Sequence, residues 1–194
     1  AGFPADQRAE VARLFWEAFS GKLGRLMAPE TRALAFLESA LRPDFALSAL
    51  DGQGRVLGVA GLKTPAGGLI AAGFAELANA YGVAGALWRG PLLDLTARAA
   101  APGQLVLDGL FVARGARGQG IGTRLVDAVM AEAAARGCAE VRLEVIDGNK
   151  RARALYERLG FVPVTERRAL LLRPVLGVRG ATTMARPVAV RSRP

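Results

Sequence analysis

The chain of 194 residues has no histidine and a single cysteine, Cys138. The missing imidazole excludes a Ser-His-Asp triad and any His-ligated zinc site. One thiol cannot build an internal disulfide framework, which suits a reducing compartment, so a cytoplasmic protein without a metal site is expected. Cys138 follows the glycine that closes a helical pattern. It has no base near it in sequence and reads as a small structural residue rather than a nucleophile. Runs of like charge are also scarce. Lys and Arg number 26 against 17 Asp and Glu, a net charge of +9, yet no run of consecutive cations exceeds two residues. That balance suits an anionic partner such as a phosphorylated cofactor. Cations this scattered do not draw the clustered footprint of a nucleic-acid binder. The first residues carry no signal-peptide pattern. The longest apolar stretch, Gly67 to Trp88, contains Glu76, Asn79 and five glycines. It is expected to pack as a helix rather than to span a membrane.

What is present is globular. Hydrophobic residues make up 52% and charged residues 22%, enough for one domain with a real core. Apolar spacing predicts helices over Asp6–Phe19, over Ala28–Leu41 and over Gly120–Arg136, with a short one over Asn149–Leu159. Strands are predicted at Phe45–Leu50 and Arg55–Leu62, joined by the turn Asp51-Gly52-Gln53-Gly54. Further strands are predicted at Leu105–Val112, Glu140–Ile146, Phe161–Val164 and Arg168–Leu172. A helix from Leu69 to Trp88 is expected to break at Gly90-Pro91. Fold class is therefore α/β, with residues 1–183 as one domain. The tail, 184–194, begins Met184-Ala-Arg-Pro-Val-Ala-Val, which looks like the start of a domain. Two readings stay open: Val188–Val190 supplies the first strand of the sheet in a permuted chain order, or the segment is a plain extension.

The most informative hexapeptide is Arg117-Gly118-Gln119-Gly120-Ile121-Gly122, set between a predicted strand and a helix. Glycines let the backbone turn tightly there, leaving N–H groups and the positive end of the helix dipole for a diphosphate. A P-loop would need a Gly-Lys-Ser/Thr ending, which is absent. A dinucleotide fingerprint would need its third glycine one position later and further strand–helix units, and neither is present.

The run Leu110 to Gly122 resembles motif A of the GNAT acetyltransferases, and Asn149, Ala152, Leu155-Tyr156 and Leu159-Gly160-Phe161 resemble motif B. About sixty residues carry the likeness. It implies a mixed, mostly antiparallel sheet splayed in the middle and flanked by helices. It also implies acetyl-CoA as co-substrate. By the resemblance, Phe111 and Val112 offer backbone groups to pantetheine. Arg117, Gly118, Gln119, Gly120, Ile121, Gly122 and Thr123 hold the diphosphate, and Asn149 bonds the pantetheine region. Arg114, Arg124, Lys150 and Arg151 are the cations within reach of the 3′-phosphate.

For acyl transfer to an amine, the amine must lose a proton and the departing thiolate must be stabilised. Tyr156 stands where the family's general acid stands, though its spacing suits core packing too. Asp108 is a carboxylate in an apolar strand, costly there unless paired or wet. It is either the base, direct or through water, or a carboxylate satisfied by backbone or Arg. Glu76 is the lone acid of its apolar segment, facing either the acceptor or solvent. The expectation is an N-acetyltransferase acting on a primary amine of a small molecule or peptide by direct transfer in a ternary complex. The alternatives are a non-catalytic acyl-CoA sensor and a basic nucleic-acid binder. A homodimer is compatible with the family.

Overall fold

The computed structural model describes residues 2–71, 73–96, 100–168 and 180–189. The predicted amphipathic helices form, with boundaries that burial decides. α1 runs Arg8–Met27 and α2 runs Glu30–Ala40. The spacing predicts an end to α1 near Phe19, before Gly21. Instead the helix continues through Gly21 and Gly24, because Leu26 and Met27 at its far end are almost fully buried. Each helical glycine costs about 1 kcal/mol relative to alanine, whereas burying a Leu or Met side chain returns about 1.5–3 kcal/mol.

β1 (Ala46–Leu50) and β2 (Val56–Thr64) form the predicted hairpin, and a short β3 (Gly67–Gly68) folds back on the end of β2. α3 (Phe74–Thr96) starts later than predicted and does not break at Gly90-Pro91. Its kink is at Gly82, where φ is 72°. Pro91 and Leu87 are both exposed, so the carbonyl that the proline ring releases one turn back faces water and the helix tolerates it.

β4 (Gln104–Val112), α4 (Ile121–Ala135), β5 (Glu140–Ile146) and α5 (Lys150–Arg158) follow the predicted pattern closely. β6 is one strand, Val162–Arg168, where the sequence suggests two; residues beyond Arg168 in the second of these lie outside the described residues. β7 is Gly180–Pro187. The sheet runs in the order β1-β2-β4-β5-β7-β6, antiparallel at every junction except β4–β5. The tail's strand is thus neither first nor at an edge. Met184 pairs with Leu143 on one side and Pro163 on the other, and Val188 lies past the strand end, its N–H bonded to Ala139 O. Val190 lies outside the described residues. Two apolar clusters sandwich the sheet, α1, α2 and α3 against one face and α4 with Tyr156 of α5 against the other.

Candidate active site

The sheet opens at its middle. β4 and β5 pair in parallel only from Gln104/Glu140 to Leu107/Leu143. Beyond Leu107 the two strands diverge, and a cavity of about 440 Å³ fills the V. Asp108, Asn149 and Tyr156 all line it, so the structure brings three of the sequence candidates together.

Asp108 reaches the cavity because β4 bulges there. Gly61 of β2 faces Gly109, but Leu62 faces Leu107, so Asp108 is the extra residue. Bulges re-aim side chains and reset the alternation of faces. Leu105 and Leu107 pack toward α4; past the bulge Leu110 and Val112 keep that face, while Phe111 joins the cluster of α1. Asp108 itself is exposed within an otherwise buried strand. That removes the desolvation cost that makes a carboxylate look misplaced in the sequence. The glycine at 109 does not leave an empty space. The Phe19 ring of α1 fills it, coming within 3.3 Å of where a Cβ would stand. Phe19 packs at 4.6 Å on Phe15 with the rings tilted by 43°, and both meet Phe111 edge-on.

The strand edges facing the V follow from two hydrogen bonds. Ala113 N–H donates to Leu57 O, which makes Val59/Phe111 a hydrogen-bonded pair and turns the backbone groups of Leu110 and Val112 away from β2. Phe111 therefore commits its main chain to β2, against the expectation that it offers groups to a ligand. Val112 faces the V, with its carbonyl accepting from Arg117 Nε at 3.0 Å. On the other side Asp147 N–H donates to Gly180 O, so Glu144 and Ile146 turn their backbone away from β7, toward the V.

The glycine loop lies at the open end, outside the cavity lining. Gly118 and Gly120 have φ of 81° and 75°, and Gly120 is the N-cap of α4 with no side-chain cap on the helix's leading N–H groups. Residues 117–120 are exposed, Gly122 and Thr123 are half-buried, and Ile121 is buried as the anchor. Gln119 Nε2 donates to Gly115 O at 3.2 Å, bracing the turn. Leading N–H groups, helix dipole and exposed glycines together form an anion site. Of the nearby cations, Arg114 pairs with Glu17 at 3.3 Å, while Arg124, Lys150 and Arg151 are exposed.

Tyr156 is 7% exposed and packs edge-on against Phe161 at 5.9 Å. Burial pushes its phenol up to about 12, so it stays protonated at neutral pH, a hydrogen-bond donor and not a base. Asn149 has a structural duty: Oδ1 accepts the Ala152 N–H at 3.0 Å and caps α5. Glu76 sits in the first turn of α3 and does not line the cavity. Cys138 is half-buried just past Gly137 and does not line it either. The cavity's remaining charged side chains are Arg142, Glu144 and Arg167, and only strand register brings them to one place.

A model described as the acetyltransferase (GNAT) family matches residues 8–161. The chain belongs to the GNAT acetyltransferase family. Among curated relatives, the thialysine N-epsilon-acetyltransferase of Bos taurus is 42% identical over 62 residues, 32% of this chain and 36% of the relative. The mycothiol acetyltransferase of Beutenbergia cavernae is 46% identical over 65 residues, 34% of this chain and 21% of the relative. The chain thus spans about a third or less of the length of these relatives. An N-acetyltransferase from Staphylococcus aureus Mu50 shares the GNAT fold with a TM-score of 0.66 at 13% identity, covering 95% of this chain and 98% of that one. Ard1 from Thermoplasma volcanium does so with a TM-score of 0.60 at 18% identity, covering 97% and 95%. No helix among the described residues is long and apolar enough to cross a membrane.

Proposed function

We propose that this chain transfers an acetyl group from acetyl-CoA to a primary amine of a small molecule or peptide, by direct transfer in a ternary complex. The observation that carries this is the V between β4 and β5. It holds a carboxylate and a buried phenol, and a glycine-capped helix start stands at its mouth. The GNAT family uses acetyl-CoA, and the relatives matched over part of the chain are named as acetyltransferases. The chain acts as one unit, because β7, whose last four residues belong to the tail, lies inside the sheet that forms the V.

The diphosphate binds the backbone of residues 117–123, with Arg117 beside it. Pantetheine lies along the facing edges of the V, bonded to Val112 and Leu110 rather than Phe111, with the Asn149 amide near its middle. The acceptor arrives as an ammonium. Asp108 takes its proton, directly or through a water, and the free amine attacks the thioester carbonyl. The carbon–sulfur bond then breaks, and the attacking nitrogen gives up its second proton to solvent as the amide forms. Full proton transfer from a phenol at about 12 to a thiolate whose acid sits near 8.5 is uphill by ~5 kcal/mol. Tyr156 therefore acts by donating a hydrogen bond to the sulfur as charge develops there, and solvent supplies the thiol proton.

Calorimetry with acetyl-CoA, followed by thiol release with a panel of amines, tests the reading. Expected are saturable cofactor binding and amine-dependent release, with Asp108→Asn flattening the rise of kcat/KM with pH. A folded protein without affinity for acetyl-CoA sinks the proposal; binding without release for any amine leaves a sensor.

A further inference from the structure

The cavity carries charge of both signs in a fixed layout. Arg142, Glu144 and Ile146 alternate along β5 and all line it, so they share one face of the sheet. Strand register carries that face outward. Glu144 stands opposite Thr183 on β7, and Thr183 opposite Thr165 on β6. Arg167, two residues further along β6, stands opposite Ala181. Glu144 and Arg167 are thus two strand spacings apart, about 10 Å, and one two-residue step of about 7 Å along the strand.

The two arginines differ in what already holds them. Arg142 Nε bonds Glu140 Oε1 at 2.7 Å, and Gln104 Nε2 bonds the same oxygen at 2.6 Å, so its charge is compensated at the closed end of the V. Arg167 is exposed into the cavity and pairs with no carboxylate among the described residues. A guanidinium left unmatched in a concave site is a fork for a carboxylate, and it repels an acceptor that is cationic at both ends.

Resting on the transferase reading above, we infer that the acceptor is an amine that also bears a carboxylate. Its ammonium lies toward Asp108 and Glu144, and its carboxylate is bound by Arg167. Arg167 is then a specificity-determining residue, outside the chemistry of the thioester.

The test compares acceptors matched in the amine and differing in the carboxylate: lysine against cadaverine, ornithine against putrescine, and ε-aminocaproate against hexylamine. Thiol release gives kcat/KM, and calorimetry on the CoA complex gives Kd for the same compounds. The carboxylate member of at least one pair should be preferred by about tenfold, the worth of one charge-assisted contact. Arg167→Gln should bring that ratio toward one through KM and Kd rather than kcat, and Arg167→Lys should restore part of it. No preference in any pair, or a preference that survives Arg167→Gln, overturns the inference. A protein that binds CoA but does not turn over still decides it, because the binding ratio and its loss in Arg167→Gln are read without transfer. A protein that does not bind acetyl-CoA defeats the transferase reading itself.

Discussion

The two halves of the cleft are made of different material. On the side proposed for the cofactor, seven consecutive residues, 117–123, form the proposed anion site, and what they offer is backbone: N–H groups at the head of α4, shaped by two left-handed glycines. On the side proposed for the acceptor, Phe19 comes from α1, Glu144 from β5, Thr183 from β7 and Arg167 from β6. Glu144, Thr183 and Arg167 share one face only because the strands pair in one register. A backbone site needs a particular local conformation, so it writes itself into a short stretch of sequence. A side-chain site needs only that residues converge, and each of them alone looks like any surface residue.

Tyr156 is the seam between the halves, and replacing it should produce the largest effect. It belongs to α5 on the cofactor side and lines the acceptor cavity. Tyr156→Phe keeps the ring packed on Phe161 and removes only the donor. We expect kcat to fall about a hundredfold, the lower end of what losing one positioned hydrogen-bond donor costs, with the Kd for acetyl-CoA nearly unchanged. A weakened Kd at full kcat would move Tyr156 wholly to the cofactor half.

The same phenol makes a stability prediction. Burial favours its protonated form in the fold. Its contribution is fully present below the unfolded value near 10 and is lost as pH climbs toward about 12. Two units correspond to about 2.7 kcal/mol. Urea midpoints between pH 9 and 12 should therefore fall more steeply for the native chain than for Tyr156→Phe. Tyr81, also raised by burial, is present in both proteins and cancels in the difference. Parallel slopes would mean the phenol is better hydrated than its packing indicates.

The glycine side of the comparison breaks at Gly120. A side chain at φ 75° costs about 1–2 kcal/mol, and a β-branched one is the least tolerated. Gly120→Val should raise the Kd for acetyl-CoA by tenfold or more, read by calorimetry. Preference among acceptors, built elsewhere, should be untouched. If acceptor preference shifts as much as cofactor affinity, the halves are not independent.

The same contrast explains what the sequence could reveal. The glycine loop, the helix α4 and the alternation of β5 were legible because local period and glycine placement determine them, whereas the splayed sheet followed only from the resemblance that motifs A and B carry. Asp108 was visible as a carboxylate in an apolar strand. The bulge that exposes it, and that turns Phe111 to the opposite face from Leu107, was not, since a bulge is defined by the partner strand. Arg167 fell in a supposed turn between two short strands, and only the continuous β6 assigns it a face. The start of α3, the length of α1 and the interior place of β7 were set by distant burial and pairing that outweigh local propensity.

Asn149 is where the comparison can be sharpened within one side chain. Its oxygen is spent on the Ala152 N–H, a helix cap, while the nitrogen of the same amide is the group proposed to meet pantetheine. The two duties separate by substitution. Asn149→Ala loses both, and should cost about 1 kcal/mol of stability, the usual worth of a cap, together with a several-fold loss of cofactor affinity. Asn149→Asp keeps an oxygen for the cap but has no amide donor. Its thermal midpoint should stay near that of the native chain while its Kd for acetyl-CoA rises as in the alanine variant. If Asn149→Asp binds the cofactor as well as the native chain, the nitrogen makes no contact that matters. Motif B then serves the site only by fixing α5, and with it Tyr156, in place.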